Sequence, residues 1–137
     1  MSCIFCRIAA GEIPAEIVAK DDGAVAFLDI APLADGHTVV IPRRHVATIE
    51  DMSADDARGL FAMVTRLAGP VRKALGAAGT TIGVNDGEGT GQTIPHVHVH
   101  IVPRRANDGA GSVHTIFRGG SRRDVAEVGK EIRKAIG

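Results

Sequence analysis

His96, His98 and His100 alternate with Val97 and Val99 and lead into Ile101 and Val102, so half of the six histidines fall within five residues. In an extended strand, residues two apart share a face. Val97, Val99 and Ile101 would bury in a core while three imidazoles line the opposite face, about 6.8 Å from one to the next. With an ordinary pKa of about 6.5 an imidazole is mostly neutral at pH 7, and a protonated neighbour disfavours further protonation. Two chemistries suit such a row. A His-x-His pair chelates transition metals, and a neutral imidazole attacks phosphorus or a carbonyl carbon.

The segment upstream, Asn85 to Thr93, holds Gly87, Gly89 and Gly91. Glycines let successive backbone N–H groups converge, and such nests bind anions, phosphate foremost. A glycine-rich loop alone is weak evidence; directly before a potential nucleophile it becomes a candidate phosphate cradle. The two cysteines, Cys3 and Cys6, form a Cys-x-x-Cys. In a reducing compartment that spacing reads as a redox pair or metal ligands before a disulfide. No thioredoxin-like βαβ pattern surrounds it, and a tetrahedral metal site needs two further ligands.

These groups need elements to hold them. Residues 16–20 and 24–30 read as strands about an Asp21-Asp22-Gly23 turn, and 38–41 as a short apolar strand stopped by Pro42. Ser53-x-x-Asp56 is a capping-box variant that opens a helix, with Ala57, Leu60, Phe61, Val64, Leu67, Ala68, Val71 and Leu75 at helical spacing. Gly69-Pro70 predicts a kink or break in it. Residues 80–85 form the next strand, the histidine strand follows from residue 96, and 104–111 read as a mobile loop. A last amphipathic helix runs from Ser121 with Val125, Val128, Ile132 and Ile136 on one face. Two main helices and about five strands give an α+β fold, an antiparallel sheet covered on one face.

The 137 residues, 45% apolar and 23% charged, are expected to make one domain spanning 1–137, with 106–137 a loop-plus-helix extension. Sixteen basic and sixteen acidic residues cancel, so nothing calls for a nucleic-acid backbone or an anionic membrane. Four Phe without Trp or Tyr make a stacking surface for single strands unexpected. Neither a signal-type apolar stretch nor a membrane-length one occurs, so a cytoplasmic location is expected. Arg43, Arg44, Arg104, Arg105 and the arginines of 118–123 read as solvated rather than as phosphate clamps.

The chain resembles the histidine triad (HIT) family of nucleotide hydrolases and transferases. The likeness rests on His96 to Val102 together with Ile4-Phe5, Gly11 to Ala15, Phe27, Asp29-Ile30, Gly36-His37, Ile41-Pro42, His45, Asn85 and Gly91-Gln92-Thr93. It implies that His98 attacks the α-phosphorus of a nucleotide, giving a nucleotidyl-histidine that water hydrolyses, with Nδ1–H donating to the His96 carbonyl. His100 and His37 would sit beside the phosphate, and Asn85, Gly91, Gln92 and Thr93 would bind it. Asp29 would accept from the ribose hydroxyls. Phe5, Ile8, Ile13, Phe27 and Ile30 would form a slot for the base, a purine with adenine and guanine undistinguished. Many bacterial members pair such cysteines with the histidine after Ile-Pro and the first triad histidine. The resemblance therefore implies a structural zinc on Cys3, Cys6, His45 and His96, and no organic cofactor. Family members are commonly homodimers joined through a helix and a strand edge.

Among the branches, a third histidine at position 100 favours hydrolysis, because the uridylyltransferase branch resembles His-x-His-x-Gln. The segments 4–5 and 11–15 favour purine nucleoside phosphoramidases (Hint-like, bacterial type) over dinucleoside polyphosphate hydrolases (Fhit-like) or phosphorylases. The leaving group separates them: a departing amine must be protonated by a positioned acid, whereas a nucleotide leaves as a stable anion. Two readings of other classes stand beside these, a nucleotide- or partner-binding protein with vestigial catalysis and a metal-handling protein.

Overall fold

The Asp21-Asp22-Gly23 turn closes the first hairpin through one side chain. The Asp21 carboxylate accepts from the backbone N–H of Gly23 at 2.8 Å and of Ala24 at 2.9 Å, an Asx arrangement that replaces the turn's own backbone bond. Those two bonds hold its carboxyl below the usual carboxylate range. The computed structural model describes residues 3–137, and the hairpin joins β1 (Ile17–Lys20) to β2 (Ala24–Leu28). β3 is Thr38–Pro42, β4 is Gly79–Gly83 and β5 is Val99–Arg104. The five strands form one sheet in the order β1-β2-β3-β5-β4, every pairing antiparallel. Three helices accompany it: α1 (Ile4–Ala9), α2 (Ala54–Ala74) and α3 (Val125–Ile136). The fold is α+β with two long helices, as the periodicities predict.

Strand alternation sorts the core into two layers. Ala24, Ala26, Val40, Val97, Val99 and Ile101 meet Leu60, Met63, Val64 and Leu67 of α2. Val25, Phe27, Val39 and Ile41 face the other way and meet Phe5 of α1. The apolar partners of the histidines are thus buried under α2, which leaves the imidazoles on the α1 side.

Ser53 caps α2, its hydroxyl accepting from the Asp56 N–H at 3.1 Å. At Gly69-Pro70 the helix runs on without a break. Pro70 is exposed, while Leu67 and Val71 stay packed in the core against the sheet. Phe61 is exposed and Met63 takes the core position.

Other boundaries shift for local reasons. β2 ends at Leu28, not residue 30, because the Asp29 carboxylate accepts from the Ala31 N–H at 2.8 Å and turns the chain. β5 begins at Val99, not at His96; Val97 instead donates its N–H to the Val46 carbonyl at 2.8 Å, docking 96–98 outside the ladder. α3 starts at Val125, after Asp124 accepts from the Glu127 N–H at 3.1 Å. The 104–111 loop carries an internal ion pair, Arg104 donating to both oxygens of Asp108 at 2.7 and 3.1 Å. Four of the other arginines read as solvated also have partners. Arg44 pairs with Asp56, Arg43 donates to the Asp21 and Ala9 carbonyls, Arg105 to the Leu75 carbonyl and Arg123 to Glu131.

Candidate active site and metal centre

His98 sits where the docked 96–98 segment enters β5, and it is only 6% exposed. Its Nδ1 lies 2.7 Å from the His96 carbonyl oxygen. A carbonyl only accepts, so Nδ1 carries the proton and Nε2 keeps its lone pair. The edges of Phe5 and His100 flank the ring at 5.0 Å each, centroid to centroid.

A second chain of bonds sets the tautomers of His37 and His100. The Leu33 N–H donates to His37 Nδ1 at 3.1 Å, so His37 is protonated on Nε2. That Nε2–H donates to His100 Nδ1 at 2.9 Å, which leaves His100 protonated on its own Nε2. The outcome is an N–H donor (His100) beside a free lone pair (His98). Asp29 supports the pair from 3.8 Å, its carboxylate near His37 Nε2. Gly36, just before His37, has φ of +84°, and a Cβ there would lie 2.7 Å from Leu75 Cδ2, so a side chain would be strained and would press on Leu75.

Burial pushes the pKa of His37 down, partly offset by Asp29; it pushes His100 down to about 4, helped by His98 and His37. Both rings are therefore neutral at pH 7. In the unfolded chain they protonate near pH 6.5, so below that value the unfolded state binds more protons. Stability from these two groups is complete above about pH 6.5 and drains away as pH falls, for His100 down to about 4. We expect the urea midpoint to be flat from pH 7 to 8 and to decline below 6.5. His100→Gln should flatten that decline; an unchanged slope would contradict the assignment.

His98 and His100 open onto a cleft of about 320 Å³, which His37 does not line. Phe5, Ile13, Phe27, Ile30 and Asp29, all singled out in the sequence, line it together with His98, His100 and Thr93, and so does Ile8. Leu28, Val39 and Ile94 also line it and were missed. Val39 was legible, since it alternates with the buried Val40 on a strand. Ile30 stands almost fully in water at the rim, 98% exposed.

The glycine loop is placed differently from a simple cradle. Gly87 and Gly91 have φ of +106° and +96°, the left-handed region that glycine tolerates. Only its downstream end, Thr93, reaches the cleft; Asn85, Gly91 and Gln92 do not line it. The Gln92 side chain is occupied: Oε1 accepts from the Gly87 N–H at 2.8 Å and Nε2 donates to the Ala47 carbonyl at 2.7 Å. Gln92 braces the loop from inside. No motif spacing announces that, because Ala47 is 45 residues away.

On the far side of His98, four side chains from three parts of the chain converge. Cys3, Cys6, His45 and His96 bring their donor atoms within 4.8 Å of one another. The His96 Nε2–H donates to the Pro42 carbonyl at 2.9 Å, so its Nδ1 lone pair faces the sulfurs. Nδ1 of His96 lies 3.5 Å from each Sγ and 3.3 Å from Nδ1 of His45, and Cys6 Sγ is 3.3 Å from the same His45 nitrogen. Ligands of a tetrahedral zinc, at about 2.3 Å for sulfur and 2.0–2.1 Å for nitrogen, are roughly 3.3–3.8 Å apart. The spacing fits, and so does the mixed thiol and imidazole chemistry. Burial, then the neighbouring Cys3 sulfur, push the Cys6 thiol up, a cost that a bound cation reverses.

A family model described as the HIT domain matches residues 10–107. An uncharacterized HIT-like protein of Methanocaldococcus jannaschii is 40% identical over 135 residues, 96% of this chain and 98% of that one. An adenosine 5'-monophosphoramidase of Schizosaccharomyces pombe is 38% identical over 104 residues, covering 76% of this chain and 75% of its own. The crystal structure of a zinc-bound histidine triad family protein from Mycobacterium smegmatis superposes with a TM-score of 0.76 at 38% identity, covering 98% and 93% of the two chains. The chain belongs to the HIT family. Among the described residues no helix is long and apolar enough to cross a membrane.

Proposed function

We propose that the protein is a nucleotidyl hydrolase of the phosphoramidase type, acting at the α-phosphate of purine nucleotides with His98 as nucleophile. One observation carries this reading: the bond from His98 Nδ1–H to the His96 carbonyl, which leaves Nε2 unprotonated at the end of an apolar cleft. In the first step Nε2 bonds to the α-phosphorus while the bond from phosphorus to the leaving nitrogen breaks, and the amine departs with a proton drawn from solvent, which the second step returns. The ring becomes cationic, and the His96 carbonyl stabilises its Nδ1–H. In the second step a water oxygen bonds to phosphorus, its proton passes to solvent and the bond to His98 breaks. The nucleoside monophosphate leaves and His98 is again neutral.

His100, protonated on Nε2, and the Thr93 hydroxyl are the donors nearest the reacting phosphate, and they stabilise charge as its oxygens reorganise. His37 positions His100. Asn85, Gly91 and Gln92 shape the loop that carries Thr93. Phe5, Ile8, Ile13, Phe27 and Ile30 grip the base, and Asp29 accepts from the ribose hydroxyls. The monophosphoramidase relative, similar over three quarters of this chain, supports that leaving group. Cys3, Cys6, His45 and His96 are the ligands of a structural zinc, supported by their spacing and by the zinc-bound relative. Held by these four residues, zinc would tie α1 to the segment that presents His98.

The test is product analysis. Incubation with an adenosine phosphoramidate and, separately, with diadenosine polyphosphates should release AMP at least tenfold more efficiently from the phosphoramidate. A reversed preference would reassign the leaving group. Tight nucleotide binding with neither substrate turned over would make the chain a binding protein and refute the enzyme.

A further inference from the structure

Cys3 and Cys6 are the only cysteines of the chain, and both are free thiols partly open to solvent. Cys3 immediately precedes α1 and Cys6 lies in its first turn, which the Cys3 carbonyl opens by accepting from the Arg7 N–H at 3.1 Å. One such turn sets Cα atoms three residues apart at about 5 Å, within the range of roughly 4.4–6.8 Å that a disulfide spans. Both sulfurs already face one point, each lying 3.5 Å from Nδ1 of His96. Joining them takes rotation of two side chains, not movement of the backbone. The two readings of the Cys-x-x-Cys, redox pair and metal ligands, therefore fall on the same two atoms. They exclude each other, because a sulfur in a disulfide has no thiolate to offer a metal.

What α1 holds in place makes the choice between those states consequential. The helix has six residues and no side-chain cap, too short to stand without tertiary support. Its buried anchor is Phe5, which lies between the two cysteines in sequence. The Phe5 ring meets Phe27 at 5.5 Å, His96 at 5.9 Å and His98 at 5.0 Å between centroids. It also lines the cleft. Across the metal centre, His45 begins a run that braces the rest of the site. The Val46 carbonyl accepts from the Val97 N–H and the Ala47 carbonyl from the Gln92 side chain. The two sulfurs thus stand one contact away from the base slot and the nucleophile.

We propose that Cys3 and Cys6 are a reversible oxidation site: a peroxide joins them as a disulfide, the metal is released, and α1 withdraws Phe5 from the base slot, weakening nucleotide binding. The inference rests on the zinc ligand set proposed above. One sulfur attacks a peroxide oxygen, forming an S–O bond as the O–O bond breaks, and the departing oxygen takes a proton from solvent and leaves as water. The other sulfur then displaces the sulfenic oxygen, forming the S–S bond as the S–O bond breaks, and a second water leaves with a second solvent proton. Two electrons pass from the sulfur pair to the peroxide. His45 and His96 remain, two ligands where a closed tetrahedral site needs four. A dithiol reverses the step through a mixed disulfide and carries both electrons away as its own disulfide.

The test uses the full wild-type chain loaded with zinc, so no variant has to fold. Hydrogen peroxide in slight excess should lower the mass of the subsequently denatured chain by about 2 Da, the two thiol hydrogens, with the link mapped to the peptide carrying Cys3 and Cys6. A zinc-sensitive dye should report about one metal released per disulfide formed. Affinity for a fluorescent AMP analogue, read by polarisation, should fall about tenfold or more, the loss expected when one aromatic wall leaves a slot. Dithiothreitol with added zinc should restore all three readings. Oxygen atoms added to the sulfurs in place of a link, or a disulfide form whose nucleotide affinity is unchanged, overturns the proposal. A chain that takes up no zinc refutes the ligand set and this proposal with it. One that binds zinc and keeps it through peroxide refutes the oxidation site alone.

Discussion

His98→Ala is expected to lower turnover of an adenosine phosphoramidate by roughly 10⁴-fold or more, the loss typical of deleting a covalent nucleophile. The size follows from the tautomers. His98 has a free Nε2 lone pair at the cleft, and its neighbours cannot replace it. His100 has its Nδ1 lone pair engaged by His37 and presents an N–H; the Nδ1 lone pair of His96 faces the sulfurs, away from the cleft. Nucleotide affinity should change little, because the base slot and Asp29 are untouched. The ratio is read from single-turnover AMP release beside nucleotide binding by titration calorimetry. Rapid quench of wild type with labelled substrate should trap an acid-labile nucleotidyl adduct that the variant lacks. Turnover surviving in His98→Ala would sink the mechanism while leaving the fold assignment intact.

The second large effect concerns the metal centre. Purified protein should hold about one zinc per chain, and Cys6→Ser should lose it. At free zinc a thousandfold above the dissociation constant, binding stabilises the native state by about 4 kcal/mol. For a chain of 137 residues that corresponds to a Tm difference of roughly 10–15 °C. The ligands account for the scale, because they join positions 3 and 6 to 45 and 96, closing long loops. Activity should fall as well, since His96 supplies the carbonyl that orients His98. Metal analysis and thermal unfolding with and without a chelator measure both effects. Zinc content unchanged in Cys3→Ser would exclude the ligand set.

Much of the fold is legible in the chain because strand alternation and helix caps are local. Val97, Val99 and Ile101 fall under α2 as their period of two requires, and Ser53 caps the helix it was expected to open. α1 was not legible. Six residues without a side-chain cap carry no helical signal, and what holds them is Phe5 packed against Phe27, 5.5 Å away, from a different element. Pro70 does not end α2 for the mirror reason: its local penalty is real, but the packing of its neighbours outweighs it.

The three alternating histidines were found in the sequence, yet alternation does not say which nitrogen bears a proton. That is decided by the Pro42 carbonyl for His96, by the His96 carbonyl for His98 and by His37 for His100. Two of those partners stand more than fifty residues away in the chain. Residue types and periodicity thus determined by themselves which side chains share a face and which family's motif they form, because both are properties of neighbouring residues. Tertiary structure alone decided the tautomers, the depressed pKa values, the bracing role of Gln92 and the meeting of two cysteines with two distant histidines. Burial and hydrogen-bond partnership depend on what the fold brings alongside, and one stretch of chain does not encode it.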